Sequence, residues 1–136
     1  MSYSLDTSTC IAMLRHKPSS VRERALEAVS RHESLLVSSI VLHELWYGVY
    51  NSSNVEKNEI ALRRLMAGNV EIVEFDVEDA RIAGAIRAEL EKKGRMIGPY
   101  DTLIAAQCLR YDFVLVTTDM KDFGPVTDLC WENWAK

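Results

Sequence analysis

No apolar run in this 136-residue chain approaches the roughly 20 residues that a bilayer crossing needs, so no membrane role is expected. Cysteine is scarce. Cys10, Cys108 and Cys130 are odd in number, widely spaced and free of any C-x-x-C pair, which argues against a disulfide framework. They read as small apolar fillers in a reducing compartment. His16, His32 and His43 are scattered, and the only start of an H-E-x-x-H motif, His43-Glu44, meets Tyr47 where the second histidine would stand. Zinc chemistry therefore has no ligand set. There is no G-x-G-x-x-G, no P-loop and no serine in a nucleophile elbow. No basic and apolar leader precedes the first strand-like run, so Asn51-Ser52-Ser53 reads as a chance glycosylation match and the expected location is the cytoplasm. Repeats, low-complexity tracts and linkers are absent too, and the length suits one domain over residues 1–136. With 48% hydrophobic and 26% charged residues, the chain has the composition of a folded globule rather than a disordered segment.

What the chain does contain is carboxylates in places where solvation does not explain them. Asp6 ends the apolar run Tyr3 to Leu5, and Asp119 follows Phe113-Val114-Leu115-Val116-Thr117-Thr118. Asp101 opens a helical pattern after Gly98-Pro99-Tyr100. Glu44 has Ile40, Val41, Tyr47 and Gly48 as its helical neighbours, with no Lys or Arg nearby to pair with it. Taken singly, Asp6 is explained as an N-cap, Asp101 as an answer to the helix dipole and Asp119 as turn chemistry. Jointly, four such acids are better explained by a shared hard cation, because carboxylates on apolar faces are costly unless paired or metal-bound. That points to metal-dependent hydrolysis, with phosphate esters as the leading substrate class.

Taken alone, the formal charge of −4 opposes a nucleic-acid partner. Setting the four acids aside leaves the remaining carboxylates equal in number to the 16 bases, and a bound cation would reverse part of the local field. Overall acidity thus speaks against broad, non-specific binding of long nucleic acids more than against a phosphodiester substrate. Arg63-Arg64 and Lys92-Lys93 with Arg95 read first as solvated helix faces, and the second group, shortly before Asp101, also as phosphate contacts. Trp46, Tyr47, Tyr50, Trp131 and Trp134 read as core or interface before base-stacking platforms.

Strand and helix signals alternate along the chain. Strands are expected at 2–5, 35–39, 70–75 and 113–117, with a short edge strand within 128–134. Helices are expected from Thr7, Ser8 or Thr9 to Arg15, over 20–31 with a Ser20/Glu23 capping box, and over 40–50, 55–67, 77–93 and 99–111. Asp76 is the expected cap of the long helix, and Gly94 its stop. This order indicates an α/β fold with a mainly parallel sheet covered on both faces. The functional crevice of such a sheet lies at the carboxyl ends of the strands, where Asp6 and Asp119 fall.

Leu5-Asp6-Thr7-Ser8, Ser39 to Gly48, Ile97 to Ala106 and Leu115-Val116-Thr117-Thr118-Asp119 resemble the PIN-domain ribonucleases and, more closely, the VapC-type toxins of bacterial toxin–antitoxin pairs. The resemblance runs nearly end to end, including Arg87 to Leu90 and Glu132-Asn133-Trp134. It implies a three-layer α/β/α fold and an endoribonuclease that uses Mg²⁺ or Mn²⁺, usually as a homodimer held inactive by a VapB antitoxin. It further implies tRNA as the substrate, at the anticodon stem-loop of initiator tRNA. By motif, Asp6, Glu44, Asp101 and Asp119 become the catalytic and metal-binding quartet, with Thr7 and Thr117 as supporting hydroxyls. Relatives often carry Asn at the position of Asp119, so Asp122 competes with it as the fourth acid. Pro125-Val126-Thr127-Asp128 departs from the expected proline-glycine turn. The rival readings are a PIN-like nuclease with another RNA-processing role and a non-catalytic interaction or phospho-receiver module. The receiver would want adjacent acids after the first strand, whereas Thr7 follows Asp6, and a lysine after the last parallel strand, whereas Lys121 lies in a turn.

Overall fold

Short apolar runs alternating with amphipathic segments build a parallel sheet with helices on it. The computed structural model describes Met1–Lys136 as β1 (Ser2–Leu5), α1 (Thr7–Arg15), α2 (Ser19–Ser30), β2 (Ser34–Ser38), α3 (Ser39–Tyr50), α4 (Val55–Ala67), β3 (Val70–Val73), α5 (Val77–Lys92), α6 (Pro99–Tyr111), β4 (Val114–Val116) and β5 (Trp131–Glu132). The strands lie in the order β3-β2-β1-β4-β5. Every pair is parallel, so the sheet expected to be mainly parallel is wholly so. Tyr3, Ser4 and Leu5 are all buried, which places cover on both faces of β1. From β1 the chain passes to β2 and β3 on one side and later to β4 and β5 on the other. The carboxyl ends of β1 and β4 therefore flank the topological switch point. No helix is long and apolar enough to cross a membrane.

Several local expectations are corrected. Asp6, rather than Thr7, Ser8 or Thr9, caps α1. The Ser20/Glu23 capping box does not form, because Pro18 occupies the N-cap of α2 and the helix already begins at Ser19. Strand β3 stops at Val73, since the Phe75 amide donates to Ser39 Oγ (3.0 Å) and the Asp76 amide to Asp79 Oδ2 (3.0 Å) instead of to a neighbouring strand. Strand β4 is trimmed to Val114–Val116, with the Phe113 amide returning to the Cys108 carbonyl at the end of α6.

A buried polar cluster fastens α5 to α6. Asp76 caps α5 and exchanges hydrogen bonds with Asp79 in a true capping box. Arg110 on α6 pairs with both aspartates, and Gln107 Nε2 donates to Asp79 Oδ2 (3.1 Å) and to the Glu74 carbonyl (3.2 Å). Asp79 is fully buried, so its charge is tolerated only because these donors surround it. The cluster sets the axis of α6, whose first turn carries Asp101.

Candidate functional site

Asp6 leaves β1 at the centre of the sheet, and its amide donates to the Val116 carbonyl of β4 (3.1 Å). Its carboxylate Oδ1 accepts from the Thr9 amide (2.9 Å) and from Ser8 Oγ (2.7 Å). Asp6 is thus both the cap of α1 and a buried carboxylate at the switch point, so its structural role does not remove it from the site. Glu44 lies on α3, half-buried, and accepts from Thr7 Oγ1 (2.7 Å). Asp119 follows β4, and its amide donates to the buried Thr117 Oγ1 (3.0 Å). Both threonines use their hydroxyls: Thr7 donates to the Glu44 carboxylate, and Thr117 accepts from the Asp119 backbone amide.

Asp101 sits in the first turn of α6 after Gly98, which caps the helix without a side chain. A Cβ at Gly98 would stand 3.1 Å from Asp101 Oδ2, so glycine is what lets that carboxylate fold back over the helix start. Burial pushes the Asp101 carboxyl up to about 6, helped by the negative charges of Asp122, Glu44, Asp6 and Asp119. All five acids therefore face one space. Asp122, in a short 3-10 turn at Met120–Asp122, is itself raised by desolvation and then by the hydrogen bond and charge of Asp119. The two candidates for the fourth acid are thus neighbours that act on each other and together on Asp101.

Ser8 is the residue that local pattern could not find. Its hydroxyl donates to Asp6 and accepts from the Thr118 amide (3.1 Å), tying the β1 end to the β4 end across 110 residues of sequence. Ser8 follows Thr7 directly, and that adjacency was its only signal.

Lys121, in the turn between Asp119 and Asp122, lowers the second of these by its charge, and no basic residue forms an ion pair with the acids. The chain's ion pairs are Arg24–Glu132, Arg63–Glu59, Arg81–Glu78, Arg87–Glu91, Lys93–Glu89 and those of Arg110, and none reaches the five acids. Lys93 is committed to Glu89, whereas Lys92 and Arg95 are exposed and unpaired. An apolar cleft of about 380 Å³ lies elsewhere, between α1, α2 and α4, and Leu14, Leu26, Val29, Leu65, Arg22 and Arg64 are among its lining residues.

In kind the donor set fits Mg²⁺ or Mn²⁺. It is all oxygen, partly buried and rich in carboxylates, with the charge of Lys121 offsetting part of the repulsion at Asp122, and it has no thiol or imidazole ligand of the type zinc prefers. No three of the side chains stand in metal-ligating geometry, and hydroxyls hold two of the carboxylates, Ser8 on Asp6 and Thr7 on Glu44.

The raised Asp101 carboxyl gives a pH signature. Its ordinary value of 3.8 rises to about 6 on folding, so between those values the folded chain binds more protons than the unfolded one. Stability in EDTA should therefore fall as pH rises through that window and level off above it. Discounted for partial exposure, the loss between about pH 4 and pH 7 is about 1–2 kcal/mol. Asp101→Asn should flatten this slope in melting curves. An unchanged slope in the variant would refute the shift.

A family model described as "PIN domain" matches residues 3–126. The chain is 37% identical to "Ribonuclease VapC2" of Rickettsia felis over 136 residues, covering all of both proteins. It is 36% identical to "tRNA(fMet)-specific endonuclease VapC" of Salmonella typhimurium over 135 residues, 99% of each. The fold superposes with a TM-score of 0.91 on a chain of the crystal structure of VapBC2 from Rickettsia felis bound to a DNA fragment from their promoter, at 36% identity and covering 98% of this chain and 99% of that one. The phospho-receiver reading finds no support beside these likenesses.

Proposed function

The chain belongs to the PIN-domain family and, within it, to the VapC ribonucleases, and from that premise we propose that it is a Mg²⁺- or Mn²⁺-dependent endoribonuclease acting as the toxin of a VapB-type antitoxin. The observation that carries the metal reading is the Asp101 carboxyl, raised by burial and by the charges of four neighbouring acids. Asp6, Glu44, Asp101 and Asp119 would hold the ion, with Asp122 beside Asp119.

The bound ion would supply charge neutralisation at the phosphoryl oxygens and a more acidic attacking water. The chain's own groups do the rest. Thr7 fixes Glu44, while Ser8 and the Thr9 amide fix Asp6, so two carboxylates on different elements keep their positions. Asp101 or Asp119 would accept the attacking water's proton, and in the metal-free chain burial and the surrounding acids already raise the proton affinity of Asp101. Lys92 and Arg95 offer unpaired cations to flanking phosphates, and Lys93 would have to leave Glu89 to join them. No side-chain nucleophile is needed.

The name of the Salmonella typhimurium relative, a tRNA(fMet)-specific endonuclease, supports initiator tRNA as substrate, and the anticodon stem-loop is the position we propose for the cut. Recognition there would rest on RNA shape and unstacked loop bases. The solved VapBC2 assembly supports a VapB partner. The apolar cleft between α1, α2 and α4 suits the nonpolar face of an antitoxin helix. We place the protein in the cytoplasm, as a homodimer. Incubating the purified chain with total RNA and Mg²⁺, then mapping the new ends, should give a single cut in one tRNA. Uniform degradation of all RNA would contradict the tRNA assignment.

A further inference from the structure

Two aromatic rings stand beside the acids, and the proposed chemistry does not use them. His43 precedes Glu44 on α3, and Tyr100 precedes Asp101 on α6. Their ring centroids are 5.4 Å apart with planes at 66°, an edge-to-face pair that bridges the two helices. A purely structural pair would be covered, yet His43 is exposed and Tyr100 is 44% exposed. In this arrangement the edge of one ring meets the face of the other, so each ring keeps a face open to solvent. Elsewhere on α3, Trp46 is taken up by stacking on Tyr50 under Arg63.

We propose that His43 and Tyr100 form a stacking platform at the rim of the acidic site that holds one unpaired nucleobase next to the scissile phosphodiester. The inference rests on the ribonuclease reading and adds a specificity determinant to it. The acids recognise only phosphate and metal, which every RNA offers alike, so selection of a loop over a duplex needs a group that binds a splayed base. An exposed ring within one residue of two of the acids is placed to do this, and base–aromatic stacking tolerates any base because each has a π-face.

The test uses a hairpin RNA that the protein cleaves, together with versions made abasic at each loop position in turn. Tyr100→Ala and His43→Ala should each lower kcat/KM by roughly tenfold or more, mainly through KM, while Tyr100→Phe and Tyr100→Trp stay near wild type. At one abasic position the wild type should lose the same factor, and Tyr100→Ala should lose nothing further. Wild-type KM in both alanine variants would overturn the proposal. So would equal losses on intact and abasic RNA, which would make the pair merely a brace between α3 and α6. A second readout does not depend on cleavage: a fluorescent purine analogue in the loop should be quenched on binding in Ca²⁺ by wild type and not by Tyr100→Ala. Quenching without cleavage would leave the platform standing and overturn the ribonuclease reading. Binding with no quenching at any loop position would overturn the platform alone.

Discussion

Asp6→Asn is expected to abolish RNA cleavage, by roughly a thousandfold or more, while the protein melts in EDTA at the same or a higher temperature. The two halves of this result come from two features of one side chain. As a cap, Asp6 uses Oδ1 to accept from the Thr9 amide and the Ser8 hydroxyl. The carbonyl oxygen of Asn can accept both bonds, and Asn caps helices about as well as Asp. As a charge, Asp6 is one of the acids that push the Asp101 carboxyl up to about 6, so neutralising it relieves repulsion in the folded state. A metal ligand lost from the reaction removes several kcal/mol of charge stabilisation at the phosphoryl group, and each ~1.4 kcal/mol is tenfold in rate. A large fall in melting temperature with cleavage retained would return Asp6 to a purely structural role.

The second large effect should appear in cells. Induced expression of the wild-type chain without an antitoxin should stop growth, expression of Glu44→Gln should not, and co-expression of the cognate VapB-type antitoxin should restore growth to the wild-type strain. Glu44 is chosen because its fold contribution survives the change. Gln Oε1 still accepts the bond that Thr7 Oγ1 gives at 2.7 Å, and Glu44 is only half-buried. What disappears is one negative charge on the apolar face of α3. A clustered, uncompensated set of acids also attracts a guanidinium, which pairs with carboxylates bidentately, so an antitoxin Arg entering the site would both neutralise it and exclude the metal. Equal growth arrest by Glu44→Gln would remove Glu44 from the chemistry. Harmless wild-type expression in a host that carries the matching tRNA would refute the toxin role.

Much of the fold is written locally. Tyr3 to Leu5 and Leu35 to Val37 are short apolar runs closed by polar residues, and Asp76, Gly94 and Pro99 mark helix ends by rules that need no tertiary information. The acids were legible for a similar reason: Glu44 violates the pattern of its own helix, and Asp6 and Asp119 end strands that must lie in one sheet. Contacts between distant segments were not legible. Nothing near Ser8 announces that it will meet Thr118, and nothing near Asp79 announces Gln107 and Arg110. The Ser20/Glu23 pair shows the opposite failure, a correct local signature overridden because Pro18 starts the helix one residue earlier. Asp122 was visible only as a rival to Asp119, and the fold makes the two interacting neighbours.

The most direct test is the metal itself. One defined tRNA should be incubated with purified, antitoxin-free protein in EDTA, and then with Mg²⁺, Mn²⁺ or Zn²⁺ restored separately. Asp101 and the four acids around it predict no cleavage in EDTA, recovery with Mg²⁺ or Mn²⁺, and none with Zn²⁺ alone. Full cleavage in the chelator, or activity that returns only with Zn²⁺, would contradict the carboxylate site at its root.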